Sequence, residues 1–237
     1  MTSLVLRAAV QTVAPWSVRP RSSLALVAVL AQLACSGPAP DPMPEDDGPK
    51  RPRIQGMAPP AVRGLPSVVE LRPEGGDTGE TEARPVTMDQ LGLQFSPRFV
   101  TVRVGQTVVF TNSETLSHNV HVTAVDGGET LLNADTEPSS QVELRLDQPG
   151  GYHVGCDTHP GMTGLIYAGT GPYAAFAEQD GRFSLEGVPP GRYVLTVWSA
   201  DPGLRSERVI DAGPETTEIE PSGGSRPLSP LTASSDR

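Results

Sequence analysis

The sequence contains the stretch Gly155-Cys156-Asp157-Thr158-His159-Pro160-Gly161-Met162, preceded in the chain by Ser117-His118-Asn119-Val120. Its cysteine, second histidine and methionine follow one another at intervals of three residues, so one tight loop can present all three side chains to a single point. The proline and glycine inside the loop supply its bend. The first histidine lies in an apolar, alternating stretch that is typical of a β-strand. The pattern predicts a metal site whose ligands are divided between a strand and a loop.

The donor atoms of these residues indicate which metal the site would hold. A thiolate, two imidazoles and a thioether hold copper in a trigonal site with a long axial sulfur. Zinc sites usually recruit a second cysteine or a carboxylate. Asp157 could supply a carboxylate, but its place beside the thiolate directs it more naturally to solvent. We therefore predict that one copper ion is bound by His118, Cys156, His159 and Met162.

The Cys-x-x-His-x-x-Met loop and the upstream His-Asn-Val resemble the small blue copper proteins, the cupredoxins, and the short loop is closer to the amicyanin type than to the plastocyanin type. Gln94-Phe95-Ser96-Pro97 and Gly105-Gln106-Thr107-Val108-Val109-Phe110-Thr111-Asn112 resemble the opening strands of that family, so the resemblance covers about 85–168. It implies single-electron transfer through a type 1 copper site, with the electron leaving through His159. Gly155 stands where plastocyanins carry an aromatic residue, so the second electron route through that ring is not expected here.

Strand-like segments recur at short, regular intervals, which predicts an all-β Greek-key sandwich. They lie at 86–90, 100–104, 107–112, 119–124, 142–146, 152–154 and 165–168. The longer segment 126–140 is the predicted crossover between the two sheets. Alternation assigns the following residues to the interior: Val102, Val104, Val108, Phe110, Val120, Leu144, Leu146 and Val154.

The beginning of the chain resembles an export signal. Three arginines precede an apolar run at 24–34, which is shorter than the ~20 residues that a membrane-spanning helix needs. The run ends in Gln32-Leu33-Ala34-Cys35-Ser36-Gly37, which resembles a bacterial lipoprotein box and implies diacylglycerol on Cys35. The alternative is cleavage at another small residue and release as a soluble periplasmic protein. Cys35 and Cys156 are the only cysteines, so no internal disulfide is expected.

Composition divides the rest of the chain. Residues 36–66 are rich in proline and charge and predict a disordered linker that keeps the domain clear of a membrane. The predicted signal covers 1–35, before the linker, and the predicted cupredoxin domain covers 67–170, after it. Residues 171–220 predict a small C-terminal β module, and 221–237 a disordered tail.

The C-terminal module shows short strands separated by Asp-Gly and Pro-Pro-Gly turns, at 173–177, 179–185 and 187–198. It resembles the latter half of the carboxypeptidase regulatory-like (transthyretin-like) domain. A half-length domain must borrow partners for its edge strands, and the strand pattern at 67–71 is one candidate. No catalytic constellation accompanies the module, which predicts a structural or adhesive role.

Charge limits the possible partners. The formal net charge of −10 speaks against nucleic acid. Within 85–168, nine Asp and Glu stand against three Arg, and such a field attracts a basic partner. The resemblance implies a redox partner, either a basic c-type cytochrome or a dehydrogenase. Exposed carboxylates near the predicted exit, on Asp157 and Glu114, would steer the encounter.

Histidine content limits the possible chemistry. The chain has four histidines, which cannot furnish the trinuclear cluster of a multicopper oxidase within one chain, so we expect a carrier and not an enzyme. A second copper centre assembled between subunits is the alternative that this count leaves open. His121 and His153 each lie an odd number of residues from a predicted ligand on the same strand and should face away from the metal. Two alternatives stay open: a copper trafficking or sensing protein, and a structural envelope protein with incidental metal.

Overall fold

Alternating burial defines most strands of this protein. The computed structural model of the chain describes residues 52–76 and 84–219, all of which belong to one compact unit. In Thr107–Asn112 every second residue is buried, as expected for a strand with one face on a core. The strands are β1 (Arg53–Met57), β2 (Val68–Pro73), β3 (Val86–Gln90), β4 (Phe95–Ser96), β5 (Phe99–Arg103), β6 (Thr107–Asn112), β7 (His118–Ala124), β8 (Thr130–Thr136), β9 (Gln141–Arg145), β10 (Gly150–Gly155), β11 (Thr163–Gly169), β12 (Tyr173–Phe176), β13 (Arg182–Glu186), β14 (Gly191–Trp198), β15 (Ser206–Ala212) and β16 (Thr216–Ile219).

Strands β3 to β11 form the first sandwich. One sheet has the order β5-β11-β10-β7-β8 and the other the order β4-β3-β6-β9. The pairs β5–β11 and β3–β6 are parallel and the other pairs are antiparallel, so the chain changes sheets between neighbouring strands. Apolar side chains of both sheets, among them Phe95, Phe110, Val122 and Ile166, fill one core. The predicted all-β sandwich is confirmed.

Three details of the first sandwich differ from the sequence prediction. The segment 126–140 contains strand β8, which pairs antiparallel with β7 at the sheet edge, so only its last residues cross to the other sheet. Val104 is 36% exposed because β5 ends at Arg103 and the next residues form a turn. Leu144 is only partly buried, although it packs against the core.

Strands β1, β2 and β12 to β16 form the second sandwich. Its sheets have the orders β13-β1-β16 and β12-β2-β14-β15, and they enclose a core that includes Leu71, Phe183, Tyr193 and Leu195. Strand β2 lies between β12 and β14, which confirms that the C-terminal module borrows 67–71 as a partner strand.

This arrangement corrects two predicted boundaries. The disordered linker predicted for 36–66 is wrong from residue 53 on, because β1 pairs with both β13 and β16 and its Ile54 is only 1% exposed. The residues 67–71, assigned to the cupredoxin domain, belong to the second sandwich. Both errors arise because these strands pair with residues more than a hundred positions away. The predicted signal, Cys35, most of the linker and the tail lie outside the described residues.

The two sandwiches share a small apolar interface built from Val68, Leu165, Tyr167, Trp198 and Ala200. The indole of Trp198 lies directly against Gly151 of β10. Arg205 packs over that indole, and its guanidinium donates two hydrogen bonds of 2.8 Å to the carboxylate of Asp126. Bidentate pairs of this kind add orientation as well as energy.

A buried carboxylate also lies at this interface. Glu70 of β2 is 4% exposed and accepts a hydrogen bond of 2.6 Å from the Tyr167 hydroxyl, with further bonds from Thr170 and from the backbone N–H of Gly171. Burial and the negative charge of Glu70 raise the pKa of Tyr167, so the phenol stays protonated and donates. Removing either Glu70 or Tyr167 would leave the other buried group without its hydrogen bond, which costs free energy. This bond therefore ties the two sandwiches together.

The Gly151–Trp198 contact predicts the effect of one methyl group. In Gly151→Ala the new Cβ would overlap the Trp198 indole. We expect the free energy of unfolding to fall by about 1–3 kcal/mol, as for other overpacked sites. Urea unfolding followed by far-UV circular dichroism measures the change.

Gly191→Ala is the matched control, because a Cβ there meets Tyr193 only at an ordinary contact of 3.5 Å. That variant should be as stable as the parent protein. Equal stability of Gly151→Ala and the parent would contradict the described interface.

Candidate metal centre

Three donor side chains converge at one end of the first sandwich. His118 begins β7, Cys156 follows the last residue of β10, and His159 lies in the loop between β10 and β11. Their ligand atoms all lie within 4.8 Å of one another. Nδ1 of His159 is 3.0 Å from Nδ1 of His118 and 3.7 Å from Sγ of Cys156. The structure therefore brings together three of the four residues that the sequence predicts as ligands.

Backbone hydrogen bonds hold the loop in a tight turn. The N–H of Cys156 donates to the carbonyl of Met162, and the N–H of Met162 donates to the carbonyl of His159, each at 3.2 Å. Gly161 has a φ of 96°, a left-handed conformation that glycine adopts without strain. The side chain of Met162 is buried in the same hydrophobic cluster as Cys156. The loop thus turns its fourth predicted ligand toward the interior.

The chemistry of this donor set fits a soft or borderline cation. Two imidazole nitrogens and one sulfur meet at one small volume, and each can offer a lone pair to a cation when it is not protonated. His118 is 1% exposed and Cys156 is 7% exposed, while His159 is partly exposed. A mixed sulfur and imidazole set of this kind suits copper. The residues present therefore fit the metal that the sequence predicts.

The comparisons with known proteins agree with this geometry. Residues 83–168 match the family described as copper binding proteins, plastocyanin/azurin family. Amicyanin-alpha from Methylorubrum extorquens is 32% identical over 89 residues, which cover 37% of this chain and 71% of that protein. The chain belongs to the plastocyanin/azurin family. Amicyanin from Paracoccus denitrificans is 30% identical over 82 residues, 34% of this chain and 63% of that protein.

Among solved structures, a reduced variant of amicyanin is 26% identical to this chain, with a TM-score of 0.34. The aligned part covers 38% of this chain and 87% of the amicyanin chain. The family binds copper, and the cofactor of this cupredoxin is one copper ion. Bound copper supplies a one-electron redox couple. Residues around the predicted ligands hold those ligands in place. Two of these surrounding residues, Asn119 and Glu114, were not predicted as part of the site.

Asn119 organises the sulfur side of this cupredoxin site. Its backbone N–H lies 3.3 Å from Sγ of Cys156 and donates to it. Its side-chain oxygen accepts from the N–H of Asp157, and its side-chain nitrogen donates to Asn133 and Asp135. The residue joins three segments around the sulfur. The sequence signal was its place directly after His118, but its role depends on contacts that the sequence does not show.

Glu114 organises the imidazole side. One carboxylate oxygen lies 3.3 Å from Nε2 of His118, at ion-pair distance but without the alignment of a hydrogen bond. The backbone N–H of Leu93 donates to the same carboxylate, and this bond, together with His118, lowers the pKa of Glu114. Its side chain is only 13% exposed. Glu114 therefore faces His118, a predicted ligand, and is mostly shielded from solvent, unlike the steering role that the sequence suggested.

The two other histidines lie outside the three-residue group, as alternation predicts. His121 and His153 are partly buried on the opposite face of their strands. Nδ1 of His121 lies 3.0 Å from a carboxylate oxygen of Asp157, which is exposed as predicted.

Proposed function

We propose that this chain is an electron carrier in which one copper ion is held by His118, Cys156 and His159, with Met162 as the axial ligand. The observation that carries the proposal is the convergence of two imidazole nitrogens and one sulfur within 4.8 Å on a buried β scaffold. The burial of Met162 beside Cys156 supports the axial assignment. We assign the metal site to the first sandwich and a structural role to the second, whose resemblance to a carboxypeptidase regulatory-like domain stays a prediction.

The protein's own groups make one-electron transfer easy by holding the ligands in place. His118 begins β7 and Cys156 directly follows β10, its paired strand, and the backbone hydrogen bonds of Met162 restrict the loop that carries His159. A ligand set that moves little between two oxidation states has little to reorganise when an electron arrives or leaves. The backbone N–H of Asn119 balances part of the thiolate charge in both states.

The electron exit of this proposal is the partly exposed edge of His159. Three of the seven exposed large hydrophobic side chains in the described residues lie in loops near the site: Leu91, Leu93 and Leu116. Leu93 contacts Glu114, which contacts His118, so these loops border the ligand cluster. An exposed apolar patch of this kind suits transient docking of a partner protein.

Trafficking or sensing of copper is the second candidate function, and it needs a site that exchanges metal readily. The burial of His118 and Cys156 favours the carrier. A structural envelope protein with incidental metal would not need a converging donor set. We propose no enzymatic activity, because His121 and His153 are the only histidines left for another centre.

We also propose that the protein is exported and tethered by a lipid on Cys35. None of the helices within 52–76 and 84–219 is long and apolar enough to cross a membrane. The first described strand, β1, belongs to the second sandwich, while the candidate metal site belongs to the first. A tether joined there would leave the exit at His159 free for a soluble partner.

The first test of the proposed function is Cys156→Ser. The copper-loaded parent should show an intense thiolate-to-copper absorption that bleaches on reduction, and the variant should lose it while its circular dichroism is unchanged. A variant that kept the visible absorption would overturn the ligand assignment.

Met162→Gln is the companion variant. It should keep copper and colour but lower the reduction potential, because a harder axial oxygen stabilises Cu(II) relative to Cu(I). An unchanged potential would mean that Met162 is not the axial ligand.

The docking surface predicts a salt effect. Because nine carboxylates stand against three arginines in 85–168, the rate of electron transfer to a basic c-type cytochrome should fall about tenfold or more as salt rises from about 0.01 to 0.5 M. Stopped-flow kinetics measures that rate. At high salt, where apolar contact between the two proteins dominates, Leu116→Glu should lower the rate of electron transfer further.

Leu204→Glu is the matched control, because Leu204 is a similarly exposed leucine on the second sandwich. That variant should transfer electrons as fast as the parent. Equal rates for both variants would place the exit elsewhere on the protein.

The anchor is tested by Cys35→Ser in a bacterial host that processes lipoproteins. Without the thiol no diacylglycerol can be attached, so the protein should move from the membrane to the soluble fraction. Unchanged fractionation would contradict lipidation at this residue.

A further inference from the structure

A depression of about 250 Å³ lies beside the copper ligands, on the outer face of the five-stranded sheet. Its lining includes His121, His153, Asp157 and Thr163, and it reaches Cys156 and Met162 at its base. This volume could hold one cation and several waters, since a water takes about 30 Å³ in the liquid. The electron carrier proposed above uses none of the four polar side chains.

Strand register puts the two histidines on one face. His121 of β7 is paired with Gly155 of β10, and Thr123 is paired with His153, so the imidazoles are diagonal neighbours. Gly155 leaves the space between them open. A Cβ at Gly155 would lie 3.4 Å from Cε1 of His153, so the imidazole lies over that glycine.

The carboxylate of Asp157 lies close enough to the imidazole of His121 for both to bind one metal ion. Nδ1 of His121 and Oδ1 of Asp157 are 3.0 Å apart, and two ligand atoms of a tetrahedral zinc site are about 3.3 Å apart. Thr130 contacts the other nitrogen of His121, and Asn133 donates to the other oxygen of Asp157. Such outer contacts orient metal ligands. Burial lowers the pKa of His153, which keeps that imidazole neutral and able to bind a metal.

We propose that this depression is a second metal site, which binds a divalent cation of the Zn²⁺ or Cu²⁺ class through Nδ1 of His121, a carboxylate oxygen of Asp157 and the imidazole of His153. In this proposal the His153 ring rotates over Gly155 to bring its nitrogen to the other two ligands, and water takes the remaining position. Two nitrogen ligands select against Ca²⁺ and Mg²⁺, which prefer oxygen.

The position of this site gives it a consequence for the copper. Asp157 follows Cys156 directly, so a bound divalent cation adds positive charge beside the thiolate. That charge favours the reduced copper, which carries one positive charge less than the oxidised form. Linkage then requires that reduction of the copper tightens zinc binding by the same factor. The second site is therefore a device by which a divalent cation raises the reduction potential.

The experiment uses the full copper-loaded protein, reduced with ascorbate so that Cu(I) occupies the first site. Equilibrium dialysis against zinc sulfate, followed by elemental analysis, should give one zinc per chain. His121→Ala and His153→Ala should each raise the zinc dissociation constant about tenfold or more. Asp147→Asn is the control, because Asp147 is an exposed carboxylate of the same sandwich that pairs only with Arg145 among the contacts described. The zinc dissociation constant of this variant should equal that of the parent protein.

Voltammetry supplies a second measurement. Zinc should raise the reduction potential of the parent and leave that of His153→Ala unchanged, while circular dichroism checks that each variant is folded. His118→Ala removes a copper ligand but should still bind zinc at the second site, so failure of the copper assignment and failure of this proposal give different results. Absence of zinc binding, or equal affinity in the parent and both histidine variants, would overturn the second site.

Discussion

The pairing of β7 with β10 is the constraint on which the metal centre depends. It joins two strands whose ends carry His118 and Cys156, and it sets the register in which Gly155 lies opposite His121. One further contact, from the N–H of Asn119 to Sγ of Cys156, connects the start of one strand to the end of the other. The loop to Met162 is short, so it has little freedom once its first residue is placed. The site is therefore a product of strand pairing as much as of the loop sequence.

The same two strands have different tasks at their two ends. At the metal end, the loop that follows β10 exposes the acidic Asp157 and leaves His159 partly exposed. At the other end Gly151 accepts the indole of Trp198, and Asp126 accepts the guanidinium of Arg205. The distance from Gly151 to Cys156 is about 17 Å along an extended strand. The second sandwich can thus pack tightly on this sheet without covering the metal end.

Local sequence patterns were enough to predict the ligand loop and most strands of the first sandwich. The ligand spacing pointed to His118, Cys156 and His159, which the fold does bring together, and alternation located most strands of the first sandwich within two residues. Strand β1 was missed because its few apolar residues lie in a proline-rich stretch, and it is stabilised by β13 and β16, which are distant in the chain. The roles of Glu114 and Asn119 were missed for the same reason, since each depends on partners brought near by the fold.

Gly155 shows how one small residue can serve two purposes. Its lack of a side chain removes the aromatic electron route expected from the plastocyanin pattern, and it also gives the imidazole of His153 its place beside His121. A larger residue at this position would press on that imidazole and narrow the depression at the base of which Cys156 lies. The face of the sheet next to Cys156 is therefore polar and open, where an aromatic ring would make it closed and apolar. In the proposed carrier, electron exit through His159 and modulation beside Cys156 would occupy separate faces of the same site.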